Sequence, residues 1–234
     1  LAIDADFAAL NTTLSGRLVR GVPPGSVCYV DQPNYDQSAC EQVRANWFNA
    51  AFHAEYSVSI GFPYWADNPC PPIFPNGTSV TGDVNAGKKG CSIGRYPAYV
   101  VNATGHEEVQ TAFKFAAKKG IRVNIKSTGL SLQEGVQRLV VCRTLYHMGT
   151  HRDQQPRGRI WTHYIQGIKI DDSFQAEKCA SAGSHAAATV AAGEKVRAVY
   201  EAAGERNMIV VAGLSQNVGI VGWFTGGGKH NHLQ

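Results

Sequence analysis

The stretch YPAYVVNATGHEEVQTAFKFAAKKGIRVNIKSTG, residues 96–129, carries the clearest fold signal in this chain of 234 residues. It begins with an apolar run at residues 98–101, which predicts a buried strand. It ends with alternating apolar residues at positions 121–125, which predict a second strand. A helix-like segment separates the two runs. Residues 97–127 are therefore predicted to form a βαβ unit.

Both ends of the helix predicted inside this unit are marked. Thr104 followed by Glu107 fits a capping box, in which each residue satisfies a free backbone N–H group at the other's position. Gly120 predicts the C-terminal end of the helix, directly after two lysines that suit the macrodipole. The apolar stripe predicted to face the core consists of Val109, Ala112, Phe113 and Ala116.

A second βαβ unit is predicted over residues 186–212. It consists of a strand at 186–192, a helix at 194–203 and a strand at 208–212. Residues 160–170, between the two units, also have the composition of a strand. Alternating strands and helices of this kind predict an α/β or α+β architecture.

Six glycines follow the second unit, and they include a run of three. They are Gly213, Gly219, Gly222, Gly226, Gly227 and Gly228. Glycine allows the backbone to approach a ligand closely or to adopt a positive φ. The stretch therefore indicates a large flat or anionic cofactor lying along the backbone. The alternative is that these glycines only form turns.

The N-terminal part is predicted to be helical and rich in loops. Apolar spacing indicates helices over residues 3–20 and 40–54, followed by an irregular region at 61–95. These predictions divide the chain into residues 1–95 and residues 96–234, the second part holding the two βαβ units.

Composition narrows the range of functions. Hydrophobic residues make up 44% and charged residues 17% of the chain, as in ordinary globular proteins. The net charge of +4 comes without a dense basic run, so no nucleic-acid partner is predicted. No apolar run is long enough to span a bilayer, so no membrane association is predicted.

Because the sequence starts at Leu1 without a basic, apolar leader, we expect a mature secreted form or a fragment.

The spacing of six cysteines predicts disulfides rather than a metal site. No pair has the C-x-x-C spacing of zinc or thioredoxin-type sites. Polar, turn-rich segments lie between Cys28 and Cys40 and between Cys70 and Cys91, and cross-links would stabilise such segments. We predict these two bonds from proximity. The pairing of the remaining cysteines, Cys142 and Cys179, stays open.

Three N-glycosylation sequons support secretion. They begin at Asn11, Asn76 and Asn102, each with a threonine two residues later. We therefore expect an extracellular protein that carries N-linked glycans.

Several separate motifs resemble one protein family. They are LNTTLSGRLVRGVPPGSVCY at 10–29, ACEQVRANWFNAAFHAEY at 39–56, the 96–129 stretch, IWTHYIQGIKI at 160–170 and GIVGWFTGGG at 219–228. Together, and in this order, they resemble the FAD-binding half of secreted fungal flavoprotein oxidases of the berberine-bridge-enzyme-like, or vanillyl-alcohol-oxidase (VAO), type. The resemblance implies a PCMH-type FAD-binding fold, classed as α+β, in which FAD lies between two subdomains.

The resemblance also implies a function and a set of cofactor-binding residues. The function is the FAD-dependent oxidation of an alcohol, sugar or amine, with electrons passed to oxygen. The loop Lys126, Ser127, Thr128 and Gly129 would cradle the FAD pyrophosphate through backbone N–H groups. The glycine-rich stretch from Gly213 to Gly228 would contact the ribityl chain and the isoalloxazine edge.

The chain departs from the family in three places. Leu130 stands where the family usually has a histidine bonded covalently to the flavin, so FAD would be held non-covalently here. Residues 130–159 do not resemble the family. The sequence stops at Gln234, whereas the family continues into a substrate-binding domain, so we expect that domain to be absent and can name no catalytic residue.

Other candidate sites are weaker. The pairs His147 and His151, and His230 and His232, lack further ligands, so no metal site is predicted. His163 is predicted to be a hydrogen-bonded structural residue. Three functions remain: an FAD-dependent oxidoreductase or its cofactor-binding portion, a secreted glycoprotein that keeps the fold without flavin, and a module that binds glycans or proteins. Flavin absorbance of the purified protein would separate the first from the others.

Overall fold

The computed structural model describes residues 4–130, 157–177 and 183–228. Seven helices are described: α1 (Asp4–Thr13), α2 (Gln37–Asn46), α3 (Ala50–Ala54), α4 (Ala86–Gly90), α5 (His106–Lys119), α6 (Val196–Gly204) and α7 (Ile220–Thr225). Six strands are described with them: β1 (Leu18–Arg20), β2 (Tyr99–Asn102), β3 (Arg122–Lys126), β4 (Arg157–Trp161), β5 (Ile168–Phe174) and β6 (His185–Val190). Short 3-10 helices cover Pro24–Cys28 and Pro63–Ala66.

The first half is organised around a four-stranded sheet of order β1-β2-β4-β3. β1 is antiparallel to β2, while β4 is parallel to both β2 and β3. On one face of the sheet, Val101 and Ile160 pack against Leu10 and Leu14 near α1 and against Ala112 of α5. The opposite face packs against the segment around residues 58–66. The sheet is therefore covered on both faces.

The βαβ unit predicted at 97–127 exists, but its strands are not neighbours. β4 lies between β2 and β3 and pairs with both of them. The strand-like region at 160–170 is in fact the end of β4 and the beginning of β5. A local pattern cannot show such an insertion, because β4 comes more than 30 residues after β3 in the sequence.

Helix α5 confirms most, but not all, of its predicted features. Gly120 ends it with φ +63°. The N-cap is Gly105 rather than Thr104, and the capping carboxylate belongs to Glu108 rather than Glu107. The Glu108 carboxylate accepts hydrogen bonds from the backbone N–H groups of Thr104 and Gly105 at 3.2 and 2.6 Å. Phe113 was expected in the core but is 45% exposed, and Phe115 packs against the core in its place.

The two helices predicted near the N-terminus are both shorter than expected. The first ends at Thr13, since Gly16 adopts φ +83° and the chain then enters β1. The second is divided into α2 and α3 because Asn49 caps the start of α3, its side chain accepting a hydrogen bond from the Ala51 N–H. Residues 61–95 are mainly irregular, as predicted.

The second half contains a two-stranded antiparallel sheet, β5–β6, together with α6 and α7. In the second predicted βαβ unit, the first strand and the helix are present as β6 and α6, and β6 pairs antiparallel with β5. The predicted strand at 208–212 is wrong, because those residues do not form a strand. Helix α7 was not predicted, because its glycines indicated loops.

Both predicted disulfides are present. Cys28 is bonded to Cys40, and Cys70 is bonded to Cys91. Three of these four cysteines are buried in a small core with Tyr29, Val80 and Ala86, and Cys91 is partly buried against it. The cross-links thus supply a core to a region with little regular structure. Cys142 and Cys179 lie outside the described residues. Every helix in the described part of the chain is too short or too polar to cross a bilayer.

Candidate cofactor-binding site

The predicted pyrophosphate loop begins where β3 ends and turns at Gly129. This glycine has φ +76°, which side-chain-bearing residues rarely adopt. A Cβ added to it would lie 2.7 Å from Lys126 Cε and 3.2 Å from the Ser59 carbonyl oxygen. The Gly129 carbonyl accepts a hydrogen bond of 2.9 Å from the Gly61 N–H. Glycine is therefore required here by both conformation and space.

The loop offers hydrogen-bond donors that the protein itself does not use. Among the described residues, no acceptor is found for the backbone N–H groups of Ser127, Thr128 and Gly129. The Ser127 hydroxyl is buried and likewise has no partner among them. Successive free N–H groups in a turn form a concavity that suits an anion. Buried donors without partners are rare in proteins and favour a ligand at this position.

Gly219 comes from the second half of the chain and lies against this loop. A Cβ added to it would be 2.8 Å from the Ser127 Oγ and 3.7 Å from the Thr128 Oγ1. A β-bridge to Lys195 holds Gly219 at the start of α7. The structure thus joins one predicted glycine to the predicted loop, across more than 90 residues of sequence.

The other five glycines of the stretch shape the end of the second half. Gly213 and Gly228 approach the Trp223 indole ring, with added Cβ atoms lying 3.2 and 3.1 Å from it. Gly222 lies within α7 and Gly226 ends that helix. Gly227 has φ +92°. These five glycines therefore lie in or against α7, and Gly213 also accepts a hydrogen bond from the Tyr200 hydroxyl of α6. Of the six glycines, Gly219 is the one that approaches the loop.

Lys126 does not extend into the loop. Its ammonium group donates hydrogen bonds to the carbonyl oxygens of His53, Ala54 and Tyr56 at 3.2, 3.0 and 2.7 Å. It also lies 5.1 Å from the centre of the Trp161 ring. Burial, followed by the nearby charge of Arg159, lowers the pKa of Lys126 well below its ordinary value. Lys126 therefore positions the backbone at residues 53–56.

Arg159 has a similar role that sequence reasoning missed. Its buried guanidinium donates hydrogen bonds to the Asn124 side-chain oxygen at 2.8 Å and to the carbonyls of Ser57 and Val58. Burial lowers the pKa of Arg159 to about 10. The two cations fix the segment that leads to Gly61. No local signal marks Arg159 for burial, because its strand, RGRIW, also begins with a charged residue, Arg157.

A polar cluster lies where the two halves of the chain meet. Glu55 accepts hydrogen bonds of 3.1 Å from both His163 Nε2 and the Lys195 ammonium group. Burial lowers the pKa of His163. Burial of Glu55 alone would raise its pKa, but the bonds to Lys195 and His163 hold that pKa below its ordinary value. The cluster connects the end of β4 to the start of α6.

The prediction that His163 is hydrogen-bonded is confirmed for Nε2, which bonds to Glu55, but not for the other ring nitrogen. Its Nδ1 is buried and has no partner within the described residues. The ring stacks on Trp161 with centroids 5.2 Å apart.

Leu130 packs over Gly61 at the end of the loop. A Cβ added to Gly61 would lie 2.9 Å from Leu130 Cδ1. An aliphatic side chain thus occupies the position after Gly129, and it has no group that could form a covalent bond to a cofactor. No cluster of three potential metal ligands occurs in the ranges that the structure describes. His147, His151, His230 and His232 lie outside those ranges.

The three sequon asparagines differ in environment. Asn76 is exposed, and its Oδ1 accepts hydrogen bonds from the Thr78 N–H and hydroxyl at 3.1 and 2.7 Å. The Oδ1 of Asn11 accepts a hydrogen bond of 2.9 Å from the Leu18 N–H. Asn102 lies in β2, where its Oδ1 is buried without a described partner. Asn76 is the most accessible of the three.

Sequence comparison relates the chain to curated FAD-linked proteins, although no family model matches it. It is 29% identical over 233 residues to the FAD-linked oxidoreductase ZEB1 of Gibberella zeae. The aligned region covers 98% of this chain and 34% of that protein. It is also 29% identical over 230 residues to the VAO-type flavoprotein oxidase VAO615 of Thermothelomyces thermophilus, covering 97% and 35% of the two chains. The chain therefore spans about a third of the length of these relatives.

Structural comparison agrees. The crystal structure of the VAO-type flavoprotein MtVAO615 from Myceliophthora thermophila C1 matches 94% of this chain with a TM-score of 0.73 and 27% identity, and 35% of its own length is covered. The VAO-type flavoprotein MtVAO713 from the same source matches with a TM-score of 0.71 and 23% identity, which supports the fold. The chain is thus related to the VAO-type FAD-linked oxidoreductases, has the fold of VAO-type flavoproteins and corresponds to about one third of their length.

Proposed function

We propose that this chain is the FAD-binding portion of an FAD-dependent oxidoreductase that oxidises an alcohol, sugar or amine and passes electrons to oxygen. The observation that carries the proposal is the loop 127–129, with its unused N–H groups, lying beside Gly219. The similarity to VAO-type flavoproteins supports FAD as the cofactor.

The residues present fit the pyrophosphate of FAD. The free N–H groups of Ser127, Thr128 and Gly129 and the buried Ser127 hydroxyl would donate hydrogen bonds to phosphate oxygens. Gly129 and Gly219 lack the Cβ atoms that would collide with Lys126 and Ser127, so they let the loop and the start of α7 approach their neighbours closely. Because Leu130 lacks a nucleophile, FAD would be held non-covalently at this position. When bound, FAD supplies hydride acceptance, while the protein binds and orients it.

A flavin titration with matched variants tests this proposal. The purified protein is expected to show flavin absorbance or to bind added FAD with quenching of its fluorescence. Ser127→Ala removes a hydroxyl without a described protein partner, so it should leave stability nearly unchanged and weaken FAD binding by about tenfold or more. Ser184→Ala, an exposed serine in the second half, is the control. Equal FAD affinity in all three proteins would show that the loop is not the phosphate site.

Gly129→Asp is a harsher variant of the same loop. A carboxylate there would face the pyrophosphate, and we expect loss of FAD binding. Because Gly129 has a positive φ and close neighbours, this variant is informative only when its thermal unfolding is measured beside its FAD affinity.

The alternative is a non-catalytic secreted glycoprotein that keeps the fold without flavin. Leu130, packed over Gly61, favours it, because this position lacks the histidine that the resemblance leads us to expect. A colourless protein that binds no added FAD would support the alternative. A small-molecule substrate is expected only if the chain is part of an FAD-dependent oxidoreductase.

Secretion and N-linked glycosylation are also proposed. Two disulfides are compatible with an extracellular protein. Asn76 is the best acceptor, since it lies exposed in a turn of the loop closed by Cys70–Cys91.

A further inference from the structure

A series of buried hydrogen bonds links three polar side chains of the first half. His53 and Ser59 are fully buried, and Tyr96 is 3% exposed. The Ser59 hydroxyl lies 2.6 Å from His53 Nδ1 and 3.1 Å from the Tyr96 hydroxyl. His53 Nε2 lies 2.7 Å from the carbonyl oxygen of Trp47, the residue at the end of α2. The series therefore connects the end of α2 to α3 and to the segment that leads into β2.

The Trp47 carbonyl fixes the direction of these bonds. A carbonyl oxygen only accepts hydrogen bonds, so a neutral His53 carries its proton on Nε2 and accepts at Nδ1. Burial, and to a smaller extent the charge of Lys126, lowers the pKa of His53 although the bond to Trp47 raises it, and the ring is therefore neutral at neutral pH. The Ser59 hydroxyl then donates to His53, and its oxygen accepts from Tyr96. Loss of this hydroxyl would leave two buried groups without a partner.

The backbone of residues 59–61 lies directly against Gly129. A Cβ added to Gly129 would lie 3.2 Å from the Ser59 carbonyl oxygen and 3.3 Å from Ile60 Cα. The Gly61 N–H group donates a hydrogen bond of 2.9 Å to the Gly129 carbonyl oxygen. A shift of residues 59–61 therefore moves the loop 127–129 or opens the bond between Gly61 and Gly129.

The two buried cations hold only the backbone before this point. Lys126 binds the carbonyl oxygens of residues 53, 54 and 56, and Arg159 binds those of residues 57 and 58. The next side-chain hydrogen bonds of this segment, in the described chain, are those of the Ser59 hydroxyl. Ser59 is thus the anchor that lies nearest to Gly61.

We propose that the Ser59 hydroxyl is a positioning group for the loop 127–129. Held between His53 and Tyr96, it sets residues 59–61 so that the loop presents its free N–H groups to the pyrophosphate of a dinucleotide. It acts through the backbone, because its side chain is engaged by His53 and Tyr96. The identity of the dinucleotide as FAD rests on the proposed function, whereas the coupling of Ser59 to the loop is a property of this chain alone.

Two buried serines form a matched pair that tests this coupling. Ser26 is 2% exposed, donates a hydrogen bond of 2.7 Å to the Pro23 carbonyl and accepts one of 2.8 Å from the Asn34 amide. Ser59→Ala and Ser26→Ala each remove one buried hydroxyl that bridges two groups, so both should lower the urea midpoint. In folded protein, Ser59→Ala should weaken FAD binding about tenfold, whereas Ser26→Ala should stay within about twofold of the parent affinity.

Hydrogen exchange of single amides gives a readout that needs no FAD. The Gly61 amide reports on the bond to Gly129, and the Ala103 amide, bonded to the Trp161 carbonyl at 3.0 Å, reports on the first sheet. Ser59→Ala should accelerate exchange at Gly61 about tenfold more than at Ala103. Ser26→Ala should change both amides alike. This comparison decides the coupling even for a chain that binds no FAD.

Two buried tyrosines repeat the test with a smaller deletion, in case Ser59→Ala does not fold. Tyr96→Phe removes the hydroxyl that donates to Ser59, and should weaken FAD binding about threefold. Tyr29→Phe is its control, because Tyr29 is 1% exposed and its hydroxyl donates to the Pro71 carbonyl at 2.6 Å. It should leave FAD affinity unchanged.

Rescue by a retained hydroxyl separates the hydrogen bonds from packing. Ser59→Thr and Ser59→Val add side chains of the same shape, and only the first can donate to His53. Ser59→Thr should therefore bind FAD more tightly than Ser59→Val, and equal affinities would contradict the proposal.

Two further results would overturn the proposal. The first is FAD affinity that falls equally in Ser59→Ala and Ser26→Ala, or in neither of them, while the parent binds FAD. The second is exchange at Gly61 that changes only in step with Ala103. A parent chain that binds no FAD, in which Ser59→Ala still opens Gly61, would refute the proposed function and leave the coupling of Ser59 to the loop supported.

Discussion

The four-stranded sheet of the first half and the two-stranded sheet of the second half differ in what covers them. The first has α1 and α5 on one face and the 58–66 segment on the other, and Val100 and Ile160 in its centre are 0% and 1% exposed. The second has no buried residue in either strand. Strand sequences alone do not produce a core, because each sheet needs a second layer.

The two halves also differ in how they are stabilised. Both disulfides and the buried cations Lys126 and Arg159 belong to the first half. In the second half, α6 buries three apolar residues: Val196, Val199 and Ala203. The proposed phosphate loop lies at the meeting point, anchored by the first half and closed by Gly219 of the second. We therefore expect the first half to determine the stability of the chain.

Two isoleucines give the largest expected contrast between the halves. Ile160→Ala removes a side chain that is 1% exposed, and should lower the free energy of unfolding by about 2–5 kcal/mol. Ile209→Ala acts on a side chain that is 98% exposed, and should change it by less than about 0.5 kcal/mol. Urea unfolding followed by circular dichroism measures both. A similar loss in the two variants would show that the second half has a core of its own.

Acid should weaken the first half through two buried histidines. Burial lowers the pKa values of His53 and His163 below the ordinary value of 6.5. As the pH falls below 6.5, the unfolded chain binds protons that the folded chain does not, so the stability present above this pH is progressively lost. Measuring urea midpoints at pH 7.5 and 5.5 stays above the range in which Glu55 titrates. His53→Gln should reduce the difference between the two midpoints, and an unchanged difference would rule His53 out as a source.

The smallest expected effect concerns the sequons, all of which lie in the first half. Peptide mapping of protein secreted from a eukaryotic host should find a glycan at Asn76 and none at Asn102. Asn76→Gln should remove that glycan and change stability by less than about 0.5 kcal/mol, because the site is exposed. A glycan on Asn102 in folded protein would contradict the burial of its side chain in β2.

Local features of the fold were predictable where neighbouring residues decide them. Gly120 ends α5 because a glycine can adopt φ +63° there. The two disulfides followed from short loops rich in turn residues. The limits of α1 and the division between α2 and α3 were not predicted, because a turn at Gly16 and a cap at Asn49 interrupt apolar patterns that otherwise continue.

The candidate site was predictable only in part. The loop 126–129 was identified by resemblance, and its glycine has the conformation that the loop needs. The inward role of Lys126 was missed, because its three carbonyl partners lie some 70 residues earlier in the sequence. The contact of Gly219 with Ser127 was missed for the same reason.

The sequence by itself determined the end of α5 at Gly120, the paired cysteines and the motifs that relate the chain to FAD-linked proteins. Each of these depends on the chemistry of a few residues close together in the chain. Only the tertiary structure decided that β4 lies between β2 and β3, that Lys126 and Arg159 support the 53–58 backbone, and that residues 208–212 remain unpaired. Those outcomes depend on which distant segments supply hydrogen bonds and apolar cover, and the local pattern of residues does not contain that information.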